Sequence, residues 1–200
     1  MRVPEAIKKF VEIFSRLPGI GPRQATRLAF YLIHQGLAAQ SDAAGTIAGF
    51  KNIKVCRECF FIHENQASLC DICNDTKRNL GIVAIVEKET DLLSIENTRK
   101  FTGRYLILGE LKKTGILEAE QKLRLKALKS WIGKRPGGVI DELIIALNPN
   151  PLGDVAASAL VNELKGLVKK VSRLGRGIPT GGEIEFADEA TLESALERRS

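Results

Sequence analysis

Four cysteines, the whole complement of the chain, fall close together as Cys56-x2-Cys59-x10-Cys70-x2-Cys73. Each Cys-x2-Cys turn can aim two thiolates at one centre. Two such turns close a tetrahedral thiolate shell, which suits one zinc ion (Zn2+). A closed shell leaves no position for water, so such an ion holds structure and does no chemistry. An iron–sulfur cluster or a redox dithiol are the competing uses of these ligands, and the paired, ribbon-type spacing points to zinc. His63 lies inside the loop and could replace a ligand, but four cysteines already suffice. A cluster of this kind in a reducing compartment favours metal over disulfides.

The second group is Leu17-Pro18-Gly19-Ile20-Gly21-Pro22-Arg23-Gln24-Ala25, which resembles a helix-hairpin-helix signature. Gly19 and Gly21 let the hairpin backbone approach a partner without side chains in the way. The helix that Pro22 opens offers free N–H groups and the positive end of its dipole, a site for one phosphate. Arg23 and Arg27 lie one turn apart and could flank a DNA strand. Residues 1–40 carry Arg2, Lys8, Lys9, Arg16, Arg23 and Arg27 against Glu5 and Glu12 only, in a chain of net charge +6. Such contacts position a backbone without reading sequence, and their strength falls with salt.

The acids are sparser. Glu87 ends an apolar run of strand length, where an open α/β sheet forms its site crevice. After another such run the chain reads Asn148-Pro149-Asn150-Pro151-Leu152-Gly153-Asp154, with Leu152 where a second acid would complete an Asp-x-Asp pair. Two isolated acids make a poor magnesium site, and Asp154 could equally serve a helix N-terminus. No Gly-x4-Gly-Lys-Ser/Thr phosphate loop occurs. His34 and His63 lie outside the α/β region, so no Ser/His/Asp or Cys/His catalytic set can be drawn. Lys112, Lys113, Lys122, Arg124, Lys126, Lys129, Lys134 and Arg135 form a second basic stretch, with Leu125, Leu128 and Ile132 on its apolar side; the default reading is a solvated helix face.

These groups need elements to hold them. Ile7, Phe10, Val11 and Phe14 recur at helical spacing and predict a helix over 3–17. Pro18 stops it. Ala25, Leu28, Ala29, Leu32 and Ile33 predict the next, within a helical region reaching about residue 50. The cysteine loop spans 54–78. Strands are predicted at Gly81–Glu87, Arg104–Gly109, Leu143–Asn148 and Val168–Leu174, with helices at about 89–98, 118–133 and 154–168. Continuous apolar strands alternating with helices indicate a parallel or mostly parallel α/β sheet. A glycine-rich tail, Gly175 to Gly182, leads to a short strand at Glu183–Phe186 and a last helix capped by Asp188. The fold class is therefore α+β and α/β, multidomain: 1–53 a helix-hairpin-helix domain, 54–78 a four-cysteine zinc finger, 79–175 an α/β domain, and 176–200 a C-terminal arm and helix. No apolar run approaches the ~20 residues of a membrane span. The N-terminus lacks a signal-peptide core, so the cytoplasm is expected and no membrane partner.

The order of these parts resembles the RecR family of bacterial recombination mediators over nearly the whole chain. The likeness rests on Leu17 to Pro22, on Cys70-Asp71-Ile72-Cys73, on Glu87-Lys88-Glu89-Thr90-Asp91, and on Arg173 to Glu183. It implies that the α/β unit is a Toprim domain serving as a partner surface, with no catalytic role. It also implies a DNA-binding homodimer or ring-like homotetramer that works with RecO, and in some bacteria RecF, to load RecA onto single strands coated with single-strand-binding protein. On this resemblance Arg23 and Arg27 face DNA, and Glu87 and Asp154 match acidic positions tied to RecO contact. The chain departs from the family at Leu152-Gly153-Asp154, where Glu-Gly-Glu is usual, and at Gly109 to Gly115, which is more charged. The alternative from the residues alone is a metal-dependent Toprim nuclease or primase-like enzyme using Glu87 and Asp154.

Overall fold

The computed structural model describes residues 3–112, 115–175 and 177–197. Arg2, Lys113 and Arg176 lie outside the described residues. The chain divides into two compact units, Met1–Ile53 and Lys54–Ser200.

The first unit is helical: α1 (Glu5–Phe14), α2 (Pro22–His34) and α3 (Gly36–Gly49). The helix expected over 3–17 is shorter at both ends. Pro4 stands before its first turn, and Ser15 to Gly21 form the hairpin, closed by the Ile20 amide donating to the Leu17 carbonyl at 3.1 Å. Phe10 and Phe14, one turn apart, stack with ring centroids 3.9 Å apart. Of the predicted stripe on α2, only the alanines Ala25 and Ala29 are buried; with Ile7 they are the buried apolar residues of this unit among those described. A groove of about 370 Å³ lies open between the helices, lined by Ile7, Phe10, Phe14, Leu32 and Ile47 among others. Fifty-odd residues are close to the lower limit for a self-sufficient core, and this unit leaves much of its apolar surface in water.

The second unit opens with a short antiparallel pair, β1 (Lys54–Val55) and β2 (Ile62–His63), then α4 (Asp71–Asn74). Next come β3 (Ile82–Val86), α5 (Glu89–Asn97), β4 (Arg104–Ile107), α6 (Ala119–Gly133), β5 (Ile140–Ala146), α7 (Pro151–Glu163), β6 (Val168–Arg173) and α8 (Glu189–Glu197). Among the described residues, β3 to β6 form one parallel sheet in the order β4-β3-β5-β6. The run Ile-Val-Ala-Ile-Val reads as continuous apolar because β3 is covered on both faces. Val83 and Ile85 pack with Leu125, Leu128 and Ile132 of α6 and Leu160 of α7. Ala84 and Val86 pack with Leu92 of α5 and with Phe60, Phe61 and Ile72 of the cysteine loop. In register, Val86 sits opposite Ile107 on one side and Ala146 on the other. Three strands thus end together, and the residues just beyond them share one rim.

Some boundaries differ from those expected. β5 begins at Ile140, three residues before Leu143, because Asp141 and Glu142 interrupt the apolar run. Both acids belong to the sheet: the Glu142 carboxylate accepts from the Ser172 hydroxyl at 2.7 Å and pairs with Lys170 of β6. α7 starts at Pro151, with the Asn150 side chain accepting from the Gly153 amide at 2.8 Å, and it stops at Glu163, where the chain turns into β6. β4 stops at Ile107; Gly109, two residues on, has φ +93°. Glu183–Phe186 does not form the predicted strand. Ile184–Phe186 is one 3-10 turn, with Ile184 and Phe186 exposed and, among the described residues, no strand paired with it to accept an alternating face. Asp188 does cap α8: its carboxylate accepts from the Thr191 amide at 2.9 Å and the Thr191 hydroxyl at 2.8 Å. No helix among the described residues is long and apolar enough to cross a membrane.

Gly153 governs how α7 leaves the rim. A Cβ at this position would stand 2.0 Å from the Asn148 carbonyl oxygen, and that oxygen belongs to backbone that also accepts from the Asn150 amide at 2.9 Å. Gly153→Ala is expected to destabilise the second unit by about 1–3 kcal/mol through forced backbone displacement, read as a lower urea midpoint at unchanged slope.

Candidate nucleic-acid interface and metal centre

In the first unit the hairpin presents what an anion needs. Gly19 has φ +76°, the left-handed region that a Cβ disfavours. A Cβ at Gly19 or Gly21 would meet nothing within 4 Å, so their outer side is open. Gly21 is the N-cap of α2 and Pro22 its first residue. No side chain caps this end, and no acid lies in its first turn. Its free amides and dipole are therefore available to an outside anion. Arg23 and Arg27 are both exposed. Among the described residues neither has a carboxylate partner, whereas Arg16 is taken by Glu12 at 2.6 Å.

In the second unit the four cysteines converge. Their Sγ atoms all lie within 4.8 Å of one another, those of Cys59 and Cys70 being 3.4 Å apart. A tetrahedron with ~2.3 Å metal–sulfur spokes has edges of ~3.8 Å, so the cluster has the size of a thiolate metal site and could hold a metal ion. All four cysteines are buried and none is in a disulfide. Packed so closely, the thiols perturb one another. Hydrogen bonds from Cys59, Cys70 and Cys73 drive Cys56 strongly down. Cys56, Cys70 and Cys73 drive Cys59 strongly up. Such thiols cannot all ionise together unless a cation offsets their charge. The Phe61 amide points at Cys59 Sγ at 3.5 Å, a donor to the thiolate. His63 is not among the converging ligands: its Nδ1 accepts from the Asn65 amide at 3.2 Å, and its Nε2 is buried with no hydrogen-bond partner among the described residues.

This loop is fastened to the sheet. The Ile107 amide, on the outer edge of β4, donates to the Cys59 carbonyl at 2.9 Å. Arg104 of β4 pairs with Glu58 at 3.1 Å, both half-buried. Phe60, held at φ +65°, packs against both faces of the core and lies 5.0 Å beneath the Arg124 guanidinium. Arg124 in turn donates to the Ile107 carbonyl at 3.0 Å. At the loop's exit Arg78 grips Glu96 of α5 with two nitrogens and donates to the Gly103 carbonyl at 3.2 Å, and the Tyr105 hydroxyl donates to Glu96 at 2.8 Å. Burial pulls Glu96 toward the neutral form, but the bonds from Arg78 and Tyr105 outweigh it and hold its pKa below the ordinary value. Sequence reading missed these anchors. Glu58 beside Cys59 and Arg78 five residues after Cys73 were visible only as two charges among several in the loop.

Glu87 and Asp154 both lie at the rim, in separate arrangements. Glu87 is 7% exposed. One of its oxygens accepts from the Leu111 amide at 3.1 Å and the other from the Asn148 side chain at 3.1 Å. Asp154 pairs with Arg173, at the end of β6, at 2.7 Å. Among the described residues the four cysteines are the one group of three or more His, Cys, Asp or Glu side chains close enough to share an ion.

Residues 81–175 match the Toprim domain family, so the second unit is a Toprim-fold unit carrying a metal-binding loop on its edge. The flanking segments narrow this: residues 7–42 match "RecR, helix-hairpin-helix" and residues 177–200 match "RecR, C-terminal". A recombination protein RecR from Paenarthrobacter aurescens (strain TC1) is 35% identical over 195 residues, covering 97% of this chain and 96% of that protein. Its counterpart from Anaeromyxobacter sp. (strain Fw109-5) is 37% identical over 202 residues, covering 100% and 98%. That from Dehalococcoides mccartyi is 38% identical over 197 residues, covering 97% and 93%. The chain belongs to the RecR family of recombination proteins.

Two outcomes check the anchoring. Stripping metal with a chelator is expected to speed hydrogen exchange at the Ile107 amide by more than tenfold while β3 amides stay protected; equal change in both strands would mean the loop does not guard this edge alone. Glu96→Gln leaves Arg78 partly buried without its carboxylate and is expected to cost about 1–3 kcal/mol at neutral pH. Because the folded pKa is depressed, the wild-type advantage is present above the ordinary carboxylate range and vanishes as pH falls through the lowered value. Denaturant titrations at neutral and acidic pH should show the two proteins converging.

Proposed function

We propose that this chain is a non-catalytic, sequence-independent DNA-binding recombination mediator. The observation that carries the reading is the open end of α2: two glycines with nothing near their outer faces, uncapped amides, and exposed Arg23 and Arg27 free of acids among the described residues. Its partners in this reading are RecO, and in some bacteria RecF. Its task is to help load RecA onto single-stranded DNA coated with single-strand-binding protein in the cytoplasm. The support for these partners is family membership.

The ion at Cys56, Cys59, Cys70 and Cys73 is proposed to be a single structural Zn2+, since a buried all-thiolate shell suits zinc and leaves it nothing to activate. The chain is proposed to work as a homodimer or homotetramer. The exposed Ile13, Leu37, Ile47 and Phe50 and the open apolar groove of the first unit support self-association. Glu87 and Asp154 are proposed to serve RecO contact. With both oxygens engaged, Glu87 would act by holding Leu111 and Asn148 in place at the rim. The same engagement weighs against a Toprim nuclease or primase-like enzyme, since both oxygens of Glu87 already accept hydrogen bonds and one oxygen of Asp154 pairs with Arg173.

Arg23→Glu with Arg27→Glu is expected to weaken DNA binding at least about tenfold and to reduce the slope of log affinity against log salt by about 2. Anisotropy titrations over a salt series, with light scattering to follow the assembly with and without DNA, measure both. Wild-type affinity and slope in the double variant would sink the hairpin assignment. Magnesium-dependent cleavage or synthesis lost in Glu87→Gln would instead make the protein an enzyme.

A further inference from the structure

The outer face of α6 carries charge that neither the hairpin nor the metal loop uses. Residues 119–135 hold six cations, Lys122, Arg124, Lys126, Lys129, Lys134 and Arg135, against Glu120 alone. Several are spent internally. Arg124 binds Glu120 at 2.5 Å, Lys129 reaches Glu163 on α7 at 2.5 Å, and Lys112, just before the helix, takes Glu118 at 2.5 Å. Arg135 lies 4.8 Å over the Trp131 ring. These pairs occupy Glu118, Glu120 and Glu163. Lys122 also lowers the pKa of Glu163, behind the larger effect of Lys129, but makes no ion pair with it. Among the described residues Lys122, Lys126 and Lys134 have no carboxylate within 4 Å.

Lys122, Lys126, Ser130 and Lys134 recur every fourth residue and are all exposed, opposite the buried Leu125, Leu128 and Ile132. An ordinary solvated face intersperses both signs, and this stripe has one. At ~1.5 Å per residue its ends are ~18 Å apart. Laid along a duplex axis, that length spans about five phosphates of one strand at their ~3.4 Å axial rise. Cations set out in a row that winds slowly along the helix suit a linear polyanion, whereas a small anion would need them to converge. We propose that this stripe is a second DNA contact, binding the phosphate backbone from the Toprim-fold unit. The proposal rests on the DNA-binding reading above, but not on the hairpin's being the grip.

The test uses the full-length protein, labelled oligo-dT and labelled duplex, and a sodium chloride series. Lys122→Gln, Lys126→Gln and Lys134→Gln together are expected to weaken binding about tenfold or more at low salt. The slope on single strands should fall by about 2, at ~0.7 for each phosphate no longer neutralised. The matching triple Lys→Arg variant should keep wild-type affinity and slope, and thermal unfolding should be unchanged in both. Wild-type affinity and slope of the glutamine variant on both DNAs would overturn the proposal. So would polyglutamate displacing oligo-dT from the wild type as well, charge for charge, as DNA does, since the stripe would then be a site for acidic protein. The Arg23→Glu/Arg27→Glu protein separates the two readings: residual, salt-sensitive binding that disappears only when the glutamine changes are added supports the stripe. No residual binding there, with none lost in the glutamine variant alone, would overturn it and leave the hairpin reading standing.

Discussion

A parallel sheet has two outer strands, each with a row of amides and carbonyls that needs an answer. In this protein the answer on the β4 side is the cysteine loop. The Ile107 amide finds the Cys59 carbonyl, and Arg104 finds Glu58. Phe60 and Phe61, on the same turn as Cys59, pack against the core. A turn bearing metal ligands is thereby fixed at its backbone, its charges and its aromatic contacts at once. On the β6 side the answer is electrostatic: Lys169 and Lys170 face Asp141 and Glu142 of β5 at 2.8 and 3.2 Å, and charge along an outer strand discourages a further strand from adding.

The rim where the strands end depends on that same arrangement. Glu87 leaves β3 at the level where Val86 meets Ile107 and Ala146. Its carboxylate then joins the segment after β4, through the Leu111 amide, to the segment after β5, through Asn148. A buried carboxylate with two donors stabilises the loops that present it, since losing either donor would leave charge uncompensated. At the ends of three parallel strands, one carboxylate thus ties two loops together.

Much of this was legible in the residues. The thiol spacing, the glycine hairpin and the apolar runs each carry a mechanical reason: ligand convergence, close backbone approach, burial on two faces. What escaped was whatever broke a pattern without breaking the element. Asp141 and Glu142 masked the start of β5 because their partners, Ser172, Lys170 and Lys169, come later in the chain. Ile184 and Phe186 imitated a strand because alternation is a local property, while a strand requires a neighbour. The pairing of Glu87 with Asn148 was hidden for the same reason. Arg78 and Glu58 were visible as charges, but their roles as anchors rest on Glu96, Tyr105 and Arg104, which only the fold brings near.

The docking of the cysteine loop on β4 bears on the order in which the molecule is made. The loop is complete in the chain before β4, and long before β5 and β6. A ligand cluster spanning so short a stretch closes with little loss of chain entropy, so it can form while the rest of the unit is still being synthesised. If it does, β4 would meet a surface already able to receive its outer edge through the Ile107 amide, and β3 and β5 would pair on its protected flank. In a sheet whose parallel pairings are inherently slow and exposed to misassociation, a cysteine loop that closed first would give β4 a template to dock on.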